Sequence, residues 1–181
     1  SSSQMAGDSS QVGQDSSSSS QQQTTTVTFD TIYGTVSTPN AVITAGETYS
    51  LPTPIEPAGP KLYKFEGWAY NGNIIPQTGI WDIQASSVLL TAVWKVNFTM
   101  VTFNTKNWGT VNPITVRFIH GESYQLPTEL ILSEAEKQWD EYTFMGWTYN
   151  GTPIANSGTW TIQEESVELV AVLDKNFTNF H

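Results

Sequence analysis

Residues 63–72 read YKFEGWAYNG and residues 142–151 read YTFMGWTYNG. The agreement extends on both sides of each copy. VTFDT at 27–31 returns as VTFNT at 101–105, YGTV at 33–36 as WGTV at 108–111, and GETYSLPT at 46–53 as GESYQLPT at 121–128. TGIWDIQ at 78–84 matches SGTWTIQ at 157–163, VLLTAVW at 88–94 matches VELVAVL at 167–173, and the exit VNFT at 96–99 is echoed by KNFT at 175–178. The offset is 75 at the Leu-Pro step and 79 from the decapeptide on, which places four extra residues between Pro127 and Tyr142. An ordered series of matches is a duplicated folding unit of about 75 residues rather than a duplicated site. It divides the chain into a tail at 1–26, a first repeat at 27–98, a second at 99–176 and a short end at 177–181.

The shared apolar positions recur with the two-residue period of half-buried strands. Val27, Phe29 and Thr31 alternate with Thr28, Asp30 and Ile32. Near the end of each repeat Val88, Leu90, Ala92 and Trp94 match Val167, Leu169, Ala171 and Leu173, while Leu89 is exchanged for Glu168. That exchange marks the wet face. Gly34 and Gly109 stand where a turn needs permissive backbone angles, and the strand that follows is expected to run to about Leu51 or Leu126.

The connecting segments differ. PTPIEPAGP in the first repeat is an extended crossing punctuated by proline. LSEAEKQWDEY in the second has an S-x-x-E capping box at Ser133 and Glu136, with Leu132, Ala135 and Trp139 on one face, and predicts a short helix. In the decapeptides Phe65 and Trp68 are three apart, so a bulge at Gly67 is needed to turn both into one core, and likewise at Gly146 for Phe144 and Trp147. Asn71-Gly72 and Asn150-Gly151 signal hairpin turns. The predicted core is Phe29, Phe65, Trp68, Trp81 and Leu90, with Phe103, Phe144, Trp147, Trp160 and Leu169 as counterparts. The expected fold is mostly β, of the α+β, β-grasp-like kind: two tandem small mixed-sheet domains with at most one short helix each.

Chemistry is sparse. The net charge of -10, from 17 acidic and 7 basic residues, repels phosphate backbones and anionic lipid surfaces, which argues against nucleic acid and electrostatic membrane docking. There is no cysteine, hence no disulfide, thiolate nucleophile or thiolate metal site. The histidines are His120, aligned with Ala45, and His181, neither with a partner at metal-ligand spacing. Glu47 and Glu122 each follow a turn glycine and read as solvated turns rather than general bases. Glu164, Glu165 and Glu168 read as a charged strand edge rather than a cation site. No catalytic residue, metal or cofactor is expected. Residues 1–26 are almost entirely Ser, Gln, Thr, Gly and Asp, a composition that predicts a disordered tether.

The ordered pattern V-T-F, G-E-x-Y-x-L-P, F-x-G-W, a second Trp and a final alternating strand, present twice, resembles the internalin-type B-repeat of bacterial surface proteins. The resemblance covers 27 to about 97 and 101 to about 175. It implies a β-grasp fold and a non-catalytic, extracellular module used as a spacer or adhesive element. The acidic charge departs from the basic arrays of that family. The Ser-rich tail resembles the spacer after a lipoprotein's lipidated cysteine, or a stalk above a wall anchor, which confines membrane contact to an N-terminal anchor; the same composition also suits an interdomain linker.

Two functions follow as expectations. One is a monomeric spacer or stalk. The other is an adhesin that holds a host or matrix glycan or protein through loop-tip aromatics: Tyr33 and Trp108 before their glycines, and Tyr70 and Tyr149 beside the Asn-Gly turns.

Overall fold

The computed structural model describes residues 22–132 and 142–175. The expected helix at 133–140, the terminal end at 177–181 and most of the tail lie outside them. The described residues divide into two compact units, 22–55 with 67–92, and 56–66 with 93–132 and 142–175.

All regular elements among the described residues are strands. The first repeat has β1 (Thr24–Asp30), β2 (Asn40–Thr44), β3 (Thr48–Ser50), β4 (Tyr63–Tyr70), β5 (Asn73–Ile75), β6 (Thr78–Ile80) and β7 (Ser87–Val96). The second has β8 (Phe98–Asn104), β9 (Gly109–Thr110), β10 (Thr115–Ile119), β11 (Ser123–Gln125), β12 (Ile131–Leu132), β13 (Tyr142–Tyr149), β14 (Thr152–Ile154), β15 (Ser157–Thr159) and β16 (Ser166–Lys175). Each repeat builds one mixed five-stranded sheet in the same order, β2-β1-β7-β4-β5 and β10-β8-β16-β13-β14. In each, the first and last strands are parallel neighbours: Val27 lies opposite Val88, and Val101 opposite Val167. β1 with β2, β4 with β5, β8 with β10, and β13 with both β14 and β16 are antiparallel.

The alternation read from the sequence is the alternation of burial. Along β1 every second residue is buried, and Leu90 and Leu169 are fully enclosed. Leu89 is 55% exposed and Glu168 is likewise exposed, so that exchange does sit on the open face. Phe29, Trp68, Trp81, Phe103, Trp147 and Trp160 are buried as expected. Phe65 and Phe144 are only half-buried. They lie near the starts of their strands, where Phe65 meets the Trp94 ring edge-on at 5.4 Å and Phe144 meets Trp147 at 5.5 Å.

Gly146 carries the expected bulge: the register of β13 against β16 shifts between Phe144 and Gly146, where φ is 122°. Both Asn-Gly pairs have positive φ at both residues, 51° and 84° at Asn71-Gly72 and 49° and 83° at Asn150-Gly151, the signature of a two-residue hairpin turn.

Four expectations are corrected. The first strand starts at Thr24 rather than Val27, because Thr25 continues the buried face of Val27 and Phe29 and is itself fully enclosed. The strand expected up to Leu51 is broken into β2 and β3 by a turn whose Gly46 has φ 85°, and Gly121 does the same at φ 83° in the second repeat. Gly34 is a turn glycine at φ 86°, but Gly109 is not. It lies in β9 against β12, where any Cβ would fall on the Ile131 carbonyl oxygen. Leu132, expected on a helix face, instead pairs with Gly109 as part of β12.

Candidate binding surfaces

The duplicated motifs are joined to one another by indole and phenol groups. Trp68 Nε1 donates to the Pro52 carbonyl at 2.8 Å, and Trp147 Nε1 to the Pro127 carbonyl at 2.9 Å. Tyr49 and Tyr124, the tyrosines of the G-E-x-Y motifs, donate to the carbonyls of Pro76 and Ala155, each at 2.8 Å. Their rings stand edge-on to Trp81 and Trp160 at 5.2 and 5.1 Å. Burial raises the affinity of both phenols for their protons, with Asp82 adding to it at Tyr49. The four tryptophans are buried in the interior of the repeats, whereas Tyr49 and Tyr124 are half-buried at its margin and each lines a groove.

The loop aromatics are less displayed than their positions suggest. Tyr33 and Trp108 lie in the loops after β1 and β8, and both are half-buried and engaged within the protein. Tyr70 and Tyr149 end the strands before the Asn-Gly turns and are also half-buried. The Tyr149 hydroxyl is hydrogen-bonded to Glu164, and that bond, with some burial and the carboxylate's charge, pushes it above the usual phenol range. Tyr149, Tyr124 and Trp160 line a groove of about 310 Å³ with Thr152, Thr159 and Thr161. Tyr33 and Trp108 do not line it. Among the described residues no group of three or more His, Asp or Glu side chains is placed to hold a metal ion.

One asymmetry between the copies escaped the sequence reading. In the first repeat Thr25 Oγ1 donates to the Ala85 carbonyl at 2.6 Å and accepts from Trp81 Nε1 at 3.1 Å. In the second, the equivalent Thr99 donates to the Glu164 carbonyl at 2.7 Å, and its oxygen lies 3.0 Å from His120 Nε2. A hydroxyl has one proton, already given to the carbonyl, so Nε2 is the donor. Trp160 Nε1 is left buried without a partner among the described residues. Burial, with the nearby Lys95 charge, lowers the imidazole's pKa, consistent with a neutral ring. The available signal was the substitution of His120 for Ala45 beside a threonine on the buried register.

No protein-family model matches the chain, and no curated protein matches it. Among solved structures it is similar to streptococcal high identity repeats in tandem (SHIRT) domains 3–4 from a cell surface protein. That similarity is 13% in identity, over 85% of this chain and 98% of that one, with a TM-score of 0.27.

Proposed function

We propose that the chain is a non-catalytic, bacterial cell-surface module of two tandem β-grasp-like repeats of the internalin B-repeat kind, acting as a spacer that withstands tension. The observation that carries this reading is the placement of the terminal strands. Within each repeat the strand that enters and the strand that leaves are adjacent and parallel, Thr26–Asp30 against Ser87–Thr91 and Met100–Asn104 against Ser166–Val170. Tension on the two ends of such a unit slides these strands past one another, so their slanted ladder bonds are loaded together rather than opened singly. A chain stretched between a cell envelope and a distant domain needs that property.

The duplicated motifs fit the same purpose, since Trp68, Trp81, Trp147 and Trp160 fill the interior and Tyr49 and Tyr124 brace it through hydrogen bonds to backbone carbonyls. The half-burial of Tyr33, Trp108, Tyr70 and Tyr149 supports adhesion through these rings less well than it supports a structural role. Stretching single molecules of the chain between its termini tests the proposal. Two separate unfolding steps are expected, each releasing roughly 200–250 Å of chain, at forces well above those of a control repeat whose terminal strands are antiparallel hairpin partners. Unfolding in one low-force step counts against it.

A further inference from the structure

The first repeat has a strand edge that the second repeat protects and the first does not. β2 lies at the end of its sheet with β1 on one side. Phe29 N–H donates to Pro39 O and Ala45 N–H to Gln23 O. Antiparallel ladders alternate, so Ala41 and Ile43 face β1, while Asn40 and Val42 turn their N–H and C=O groups to the open edge. Val42 is 67% exposed. β3, joined to β2 by a tight turn, is paired with β6 alone in its two-stranded sheet. β2 and β3 flank a groove of about 520 Å³ that is also lined by Phe29, Tyr49 and Leu51, with Glu47 at the turn.

Natural sheet edges are blunted by charges, prolines or bulges. β2, with the sequence NAVIT, has none of the charged or proline devices. Its counterpart β10, TVRFI, carries Arg117 at the position of Val42, with the guanidinium 5.2 Å over the Phe98 ring. An open edge beside a groove is the arrangement by which sheets accept an extended peptide: main-chain bonds supply affinity and alternate side chains enter the groove. We propose that the β2–β3 groove of the first repeat binds an extended, basic polypeptide segment, which adds as a strand to β2. Charge selects the occupant. Among the described residues Glu47 is the one charged residue lining the groove, and the chain's net charge of -10 repels a second copy while attracting a cationic partner. This binding role is additional to the spacer reading and does not depend on it.

The test uses the full chain, labelled with ¹⁵N, and a capped peptide in which Lys or Thr alternates with Val. Saturable shifts are expected at the amides of Asn40–Thr44 and Thr48–Ser50. Affinity is expected to fall at least tenfold in Val42→Arg, a substitution the second repeat already accommodates. It is expected to fall as much for a peptide N-methylated on alternate amides, and for one with Glu in place of Lys. A second variant, Val42→Pro, removes the outward N–H at an edge where proline is tolerated and is expected to behave like Val42→Arg. No binding at millimolar peptide, undiminished affinity in Val42→Arg or for the N-methylated peptide, or shifts confined to other strands would overturn the proposal. So would equal binding of the glutamate peptide, or a concentration-dependent dimer abolished by Val42→Arg.

Discussion

Trp68 hands its indole proton to the carbonyl oxygen of Pro52 at 2.8 Å, tying the F-x-G-W motif to the Leu-Pro step 16 residues earlier, and Trp147 repeats the bond to Pro127. Ring burial and hydrogen bond are thus combined in one side chain at the centre of each repeat. Replacing Trp68 or Trp147 by Ala is expected to lower stability by about 3–5 kcal/mol. Phe at either position keeps most of the packing with Phe29 or Phe103 but gives up the indole hydrogen bond, for a loss of about 0.5–1.5 kcal/mol, at the lower end for Trp68 because Gln77 Nε2 also donates to the Pro52 carbonyl. Urea midpoints of the four variants give the comparison, and a Phe variant as damaging as Ala would show that the hydrogen bond rather than the ring dominates.

Thr25 and Thr99 occupy equivalent buried positions with different partners, so the same substitution should have unequal effects. Thr25→Val leaves Trp81 Nε1 without its acceptor and is expected to destabilise by about 1–3 kcal/mol. Each variant also removes the donor to a carbonyl, that of Ala85 or Glu164, but Trp160 Nε1 already lacks an acceptor, so the further loss in Thr99→Val falls on the half-buried His120, which can turn to solvent, and this variant is expected to be milder. Equal losses in thermal or urea unfolding would contradict this account.

His120 gives the second repeat a pH dependence that the first lacks. Its folded pKa lies below the unfolded value of about 6.5, through burial and Lys95. The unfolded chain therefore binds more protons in the window between those two values, and stability falls as pH drops through it. The contribution of the neutral ring is complete above about pH 7. Urea unfolding between pH 5 and 8, with His120→Ala as the comparison that copies Ala45, is expected to show a slope reduced in the variant. Identical slopes would remove the histidine from the explanation.

Gly34 and Gly109 fill the same motif position for different reasons. Gly34→Ala meets the strain of φ 86°, about 1–2 kcal/mol, and leaves the Thr35–Ile55 bridge in place. Gly109→Ala drives a methyl group into the Ile131 backbone, an overpacking loss of about 1–3 kcal/mol, and separates β9 from β12. Amide exchange tells them apart: protection at Thr110 and Ile131 is expected to vanish in Gly109→Ala, whereas protection at Thr35 and Ile55 survives in Gly34→Ala.

Much of this architecture was readable in advance where the information is local. Periodicity alone places Val27, Phe29, Leu90 and Leu169 inside and Glu168 outside, because successive side chains on a strand point to opposite faces. The bulge at Gly146 and the turns at Asn71-Gly72 and Asn150-Gly151 follow from residues whose backbone freedom is intrinsic. Thr25 was equally legible from its register with Val27 and Phe29, but a threonine-rich composition masked it.

The sequence by itself determined that one folding unit occurs twice, which faces of its strands are wet, and where its tight turns fall. Only the tertiary structure decided that first and last strands lie parallel and adjacent, that the tryptophans satisfy distant proline carbonyls, and that His120 displaces an indole from Thr99. It alone decided, too, that Val42 stands at an unguarded edge. These are relations between residues dozens of positions apart, set by how the strands meet once apolar faces close on one another, and periodicity within a strand carries no record of its neighbour.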